Sequence, residues 1–190
     1  MRLEDIASYL PLDWYPMDVT TSKYEMFEIE KGTEEYRKIS EKFQGKHNMG
    51  PIFRIQNPLL FTKFYMKTLE YRLRGDYDIL TLYHDSAQAN VESIVTYNID
   101  WRYGERFKYG PGVYFSTSSF RANKRANQDL GTDRAMFLVN VLVGRKQVAR
   151  SGEFFPDFGY DTVVSPDAET YVKYFDHEYY PTYVQYYTSV

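Results

Sequence analysis

The ten residues Ala135 to Gly144, Ala-Met-Phe-Leu-Val-Asn-Val-Leu-Val-Gly, form a nearly continuous apolar run of β type. A strand with one wet face alternates apolar and polar residues, and this run does not, so it predicts a central strand. Shorter strand signals fall at Tyr24–Ile29, Ile52–Gln56, Ile79–His84, Gly112–Phe115, Tyr160–Val164, Tyr171–Phe175 and Val184–Tyr187. Helical signals cluster earlier. Thr33 is a helix N-cap followed by Glu34 and Glu35, with Tyr36, Ile39 and Phe43 on one face and Gly45 as the stop. Asn57 caps and Pro58 opens a longer helix, whose Leu60, Phe61, Phe64, Thr68 and Tyr71 keep helical spacing up to Gly75. Ser86 is expected to cap a helix running to about Thr96 and burying Ala87, Val91, Ile94 and Val95, and Arg121–Asn127 reads as helical. Leu10–Asp18, with two prolines, reads as an irregular lead-in that packs Trp14. Helices first and strands after give an α+β fold.

Composition narrows the function classes. A chain of 190 residues without a linker is read as one domain, burying about 70% of the surface its unfolded form exposes. Twenty Tyr, 13 Phe and 2 Trp supply a packed core, which argues against disorder. The absence of cysteine excludes disulfides, thiolate zinc sites and a thiol nucleophile, and three histidines argue against a His-rich metal site, so no metal is expected. A net charge of −3 argues against non-specific phosphate binding, hence against nucleic acid as a partner. No apolar run reaches a membrane-spanning length and Met1-Arg2-Leu3-Glu4-Asp5 is too polar for a signal peptide, so the expectation is an intracellular domain, cytoplasmic or nuclear, that is monomeric and off the membrane. There is no Walker loop, GxGxxG, HExxH or GxSxG. Gly110-Pro111-Gly112 leads into a strand rather than a helix and reads as a permissive turn. His47 is read as a solvated turn residue, His177 (between Asp176 and Glu178) as surface, and Tyr179, Tyr180, Tyr183, Tyr186 and Tyr187 as packing.

Several blocks in series carry more: LYHDS, VESIVTYNIDWR, YGPGVYFS, MFLVNVLVG, YDTVV and YVKYFDHEYYPTYVQYY. In order and spacing they resemble the catalytic domain of the poly(ADP-ribose) polymerase family. The closest likeness is to the mono-ADP-ribosyltransferases that follow CCCH zinc-finger and WWE modules, and it extends over Leu12–Tyr187 through WYPMD and IFRIQNPLLFTKFYMKTLEYR. The resemblance implies two packed, mostly antiparallel sheets with flanking helices, a helical lead-in over residues 12–75 packed on an NAD-binding β body over 76–190. It implies NAD as donor substrate, an acceptor protein (this chain included) as partner, and release of nicotinamide from the anomeric carbon. Orienting the donor and stabilising developing charge are what such a site does. Matched by motif, His84 in LYHDS hydrogen-bonds the adenosine ribose, Tyr114 in GVYF lines the nicotinamide pocket, and Thr170 is the third catalytic position.

The departures are specific. Polymerising relatives have Glu at the third position; Thr170 lacks the charge, so single transfer is expected. Adjacent strand residues face opposite ways, so Glu169 reaches the site only through a bulge or register slip. Asp85 stands where the family has a glycine, followed by Ser86; by ungapped counting Ala122 replaces the carboxamide-binding Ser and Arg125 the stacking Tyr. Losing one hydrogen bond and one ring stack weakens NAD roughly thirtyfold. Arg102, Arg106 and Lys108, in the loop ending at Tyr109, either face the NAD pyrophosphate or form a solvated basic loop, and the Arg150–Gly159 loop, with Phe154, Phe155 and Phe158, is either core cover or a docking patch. Three readings stay open: a mono-ADP-ribosyltransferase, an inactive interaction module, and an RNA-binding module resting on tyrosine content.

Overall fold

The computed structural model describes residues 3–43, 48–104, 107–126, 131–150 and 154–188. In chain order the first elements are α1 (Leu3–Ile6), β1 (Glu25–Glu28), α2 (Glu34–Lys42), β2 (Asn48–Gln56), α3 (Pro58–Arg74), β3 (Asp78–Ala87) and α4 (Val91–Tyr97). They are followed by β4 (Val113–Ser116), α5 (Ser119–Arg125), β5 (Asp133–Val143), β6 (Lys146–Val148), β7 (Thr162–Val164), β8 (Thr170–Lys173) and β9 (Tyr179–Thr188). The expected stops at Gly45 and Asn127, together with His47 and Arg106, lie outside the described residues.

β5 is central, as its apolar run predicts. It pairs with β3 from Asp78↔Val143 to Ala87↔Arg134 on one side and with β9 on the other. Ala135, Phe137, Val139, Val141 and Val143 pack on one face with Leu82, Val113, Phe115 and the α4 residues Val91, Ile94 and Val95. Met136 and Leu138 pack on the opposite face with Ile52, Tyr187, Ala122 of α5 and the α2 side chains Tyr36 and Ile39. A third cluster seats α3 through Leu60, Phe64 and Tyr71 against Leu142 and Tyr180, with Trp14 from the lead-in beside it. Complete burial of a side chain such as Phe137 contributes about 1.5–3 kcal/mol.

The sheet order is β1-β2-β9-β5-β3-β4-β8-β7-β6, antiparallel except for β6 with β7. Two halves meet at β3 and β4, which share the single registered pair Tyr83↔Ser116. β9 carries a bulge where the register with β5 steps from Leu138↔Tyr183 to Val139↔Pro181. Pro181 lacks an N–H and is tolerated mid-strand at such a bulge, while the skipped Thr182 donates its hydroxyl to Leu138 O at 3.0 Å.

The caps form as expected. Thr33 accepts from the Tyr36 N–H, and Asn57 Oδ1 accepts from the Leu60 N–H at 3.0 Å while Asn57 Nδ2 donates to Val95 O at 2.8 Å, tying α3 to α4. Ser86 departs from expectation. It caps no helix: β3 stays paired to β5 as far as Ala87, a 3-10 turn over Gln88–Asn90 follows, and Ser86 Oγ accepts from Asn90 Nδ2. β9 begins at Tyr179, earlier than its apolar spacing suggested, and Tyr179, Tyr180 and Tyr187 are buried packing residues. Among the described residues no helix is long and apolar enough to cross a membrane.

The sequence gives no hint of a buried ionic cluster under α3. Lys173, fully buried, donates from Nζ to Asp161 Oδ1 and Thr162 Oγ1, both at 2.9 Å, and to Tyr71 Oη at 3.1 Å. Glu178 Oε2 lies 3.0 Å from the same ammonium and Glu178 Oε1 accepts from the Tyr71 hydroxyl at 2.6 Å. Burial raises the Glu178 pKa, whereas at Asp161 the same burial is outweighed by Lys173 and hydrogen bonds, which leave it below the usual value. Replacing Lys173 by Met strands two carboxylates around an apolar tip and is expected to cost about 3–5 kcal/mol, read as a lower urea midpoint at unchanged slope.

Candidate functional site

Past the lone Tyr83↔Ser116 pair, β3 and β4 separate, and the next residue of β3, His84, fills the gap. Its Nδ1 lies 3.0 Å from the backbone oxygen of Tyr114. A carbonyl oxygen only accepts, so Nδ1 carries the proton and Nε2 of the neutral ring is left as an acceptor. Among the described residues nothing engages Nε2. Burial lowers the His84 pKa below the ordinary imidazole value, against the opposing pull of the Tyr114 carbonyl and Asp85, so the ring is neutral at physiological pH.

Tyr114 leads β4 away from a glycine turn and folds its hydroxyl back onto it. The hydroxyl donates to Gly110 O at 2.9 Å and accepts from the Tyr109 N–H at 2.7 Å, and the two tyrosine rings stack at 6.5 Å and 19°. Gly110 has φ +89°, and a Cβ there would fall 1.7 Å from the backbone oxygen of Phe154, so no other residue fits between this turn and the loop beginning at Phe154. The Tyr174 hydroxyl donates to Tyr109 O, and Lys108 Nζ lies 5.1 Å from the Tyr109 ring. Burial raises the Tyr114 pKa and keeps the phenol protonated.

Thr170 opens β8 opposite Ser116, while Tyr114 pairs with Val172. Tyr114 and Thr170 are therefore diagonal neighbours on one face, about 7–8 Å apart. Thr170 is fully buried, and among the described residues its Oγ1 has no hydrogen-bond partner. Such a hydroxyl costs about 1–3 kcal/mol of unrecovered desolvation unless a ligand meets it. Glu169 parts from it as strand alternation requires: its carboxylate is ion-paired with Arg121 on α5. The structure thus joins His84 to the Tyr114 backbone and sets Tyr114 and Thr170 on one face of the sheet.

The remaining expected residues are distributed differently. Asp85 turns away from His84 into the interior; Arg134 donates to its Oδ1 from Nε at 2.9 Å and from Nη2, and the Tyr187 hydroxyl donates to Oδ2. Ala122 packs in the apolar cluster with Met136 and Leu138, a different cluster from that of Tyr114. Arg125 is exposed at the end of α5, near enough for its charge to favour ionised Tyr114 and Asp167. Arg102 pairs with Asp100 at 2.8 Å and approaches Asp176 at 3.8 Å, in the turn between β8 and β9. Phe154, Phe155 and Phe158 are exposed. Two surface hollows of about 290 Å3, one lined by Trp14, Arg54 and Tyr183 and the other by Tyr24, Gln88 and Tyr186, have none of His84, Tyr114 and Thr170 in their lining. Sequence reasoning missed Arg134, Tyr187 and Asn123; the one available signal is an arginine heading the β5 apolar run.

The fold is an α+β domain built on one nine-stranded, mostly antiparallel sheet. Residues 33–155 match the model of the poly(ADP-ribose) polymerase catalytic domain, and the chain belongs to that family of ADP-ribosyltransferases, whose domains take NAD as substrate. It is 27% identical over 174 residues (84% of this chain, 51% of the relative) to a probable poly(ADP-ribose) polymerase of Dictyostelium discoideum. It is 26% identical over 201 residues (95% of this chain, 28% of the relative) to the human protein mono-ADP-ribosyltransferase PARP12. The chain therefore spans about half or less of these curated relatives, and Thr170 lies beyond the stretch that the family model matches.

Asp85→Ala removes the buried partner of Arg134. The expected loss is about 3–5 kcal/mol in chemical denaturation, substantially recovered in an Asp85→Ala/Arg134→Leu pair, which removes both charges.

Proposed function

We propose that this domain transfers a single ADP-ribose from NAD to a protein side chain, with this chain included among the acceptors. The ribose–nicotinamide bond breaks with its electron pair leaving on nicotinamide, an acceptor oxygen or nitrogen bonds to the anomeric carbon, and the acceptor proton passes to water. The observation that carries the reading is the free Nε2 of His84, presented as an acceptor to a ribose hydroxyl by its Nδ1–H bond to Tyr114 O. Tyr114 contributes a wall locked by its own hydroxyl bonds, and Thr170 a hydroxyl for the sugar. Thr170 is uncharged and cannot activate an incoming ribose, which supports single transfer over chain growth. Asp85 does not oppose NAD, since its side chain is engaged by Arg134 and Tyr187.

Incubation with labelled NAD should mark the protein or lysate proteins, and His84→Ala should abolish the label; equal absence of label in both forms overturns transfer. Thr170→Glu should yield no long chains, which gel mobility of the product reads. NAD affinity should fall as pH drops through the lowered His84 pKa, because a protonated Nε2 donates and no longer accepts, and should be flat above about pH 6.5; the acid limb should vanish in His84→Gln.

A second reading, a non-catalytic interaction module, is favoured by Ala122, whose methyl is packed among apolar side chains, and by the exposed cation of Arg125. Calorimetric titration separates the two: saturable NAD binding supports the enzyme, and no heat from a folded chain supports the module.

A further inference from the structure

The side chains of Asp85 and Arg134 are each 1% exposed, and their contacts cross three adjacent strands. Arg134 of β5 is directly opposite Tyr187 of β9, and Asp85 of β3 is opposite Met136, two residues along the same face of β5. This register lets one carboxylate take Arg134 on Oδ1 and Tyr187 on Oδ2. The Tyr187 hydroxyl then accepts from Asn123 Nδ2 at 2.7 Å, so the line ends on α5. Burial and the Asp85 charge raise the Tyr187 pKa far above the phenol range, so this hydroxyl always donates toward Asp85 and accepts from Asn123. The direction of every bond in the line is fixed.

α5 has only seven residues, and three of them anchor it. Ala122 packs on the sheet, Asn123 reaches Tyr187, and Arg121 pairs with Glu169, the neighbour of Thr170. A shift of α5 therefore pulls on Glu169 and strains the turn that precedes Thr170.

We infer that Asp85 is a positioning residue, acting through Tyr187 and Asn123 to hold α5 in register with the cleft of His84, Tyr114 and Thr170. The inference rests on the reading of that cleft as an NAD site. The acidic residue beside the histidine is then no defect: Arg134 neutralises it and α5 is what it secures.

The test is a double-mutant cycle on the intact chain, combining Tyr187→Phe with Asn123→Ala, read by calorimetric NAD titration together with thermal melts and amide exchange of α5. Tyr187→Phe keeps the ring in its apolar cluster and removes only the linking hydroxyl. Each single change should weaken NAD binding roughly fivefold, about the worth of one hydrogen bond, and speed exchange in α5 while unfolding stays cooperative. The double variant should be no weaker than the worse single, because both changes cut one line. Unchanged affinity in either single variant, or losses that multiply in the double, overturns the inference while leaving the functional reading intact. A wild-type chain that takes up no NAD overturns the functional reading and the inference with it.

Discussion

The double burial of β5 governs this structure. A strand with no wet face must be flanked on both edges and covered on both sides, and the chain supplies all four: β3 and β9 as neighbours, α4 on one face, α2 and α5 on the other. Those demands determine the positions of the functional groups. His84 and Asp85 follow each other on the strand that must flank β5, so their side chains leave opposite faces of the sheet. α5 covers the face of Met136 and Leu138.

The same alternation resolves the chemistry of two adjacent pairs. His84 and Asp85 face opposite ways, as do Thr170 and Glu169, and in each pair the carboxylate enters an ionic tie. The two carboxylates are bound to Arg134 and Arg121, and their neighbours are a neutral imidazole acceptor and a neutral hydroxyl.

Much of this was legible in the residues. The β5 run, the Thr33 and Asn57 caps and the stop at Gly75 follow from local pattern. Ser86 misled because its capping chemistry is local, whereas the pairing of β3 with β5 that keeps it in a strand is not. Ala122 was placed by ungapped counting, which cannot report that its methyl turns toward Met136 and Leu138. Tyr187 reads as packing, and the ionic roles of Arg134 and Lys173 do not show in the sequence. Arg134 and Tyr187 meet Asp85 from 49 and 102 residues away, joined by strand register, whereas Lys173 meets Asp161 and Glu178 from the neighbouring turns.

One registered cross-strand pair, Tyr83↔Ser116, stitches β3 to β4, with the His84–Tyr114 hydrogen bond beside it. The pairing of β3 with β5 has a rung at every residue from Asp78 to Ala87. A ladder with so few rungs resists twisting less than its neighbour, so the seam is where the sheet yields first.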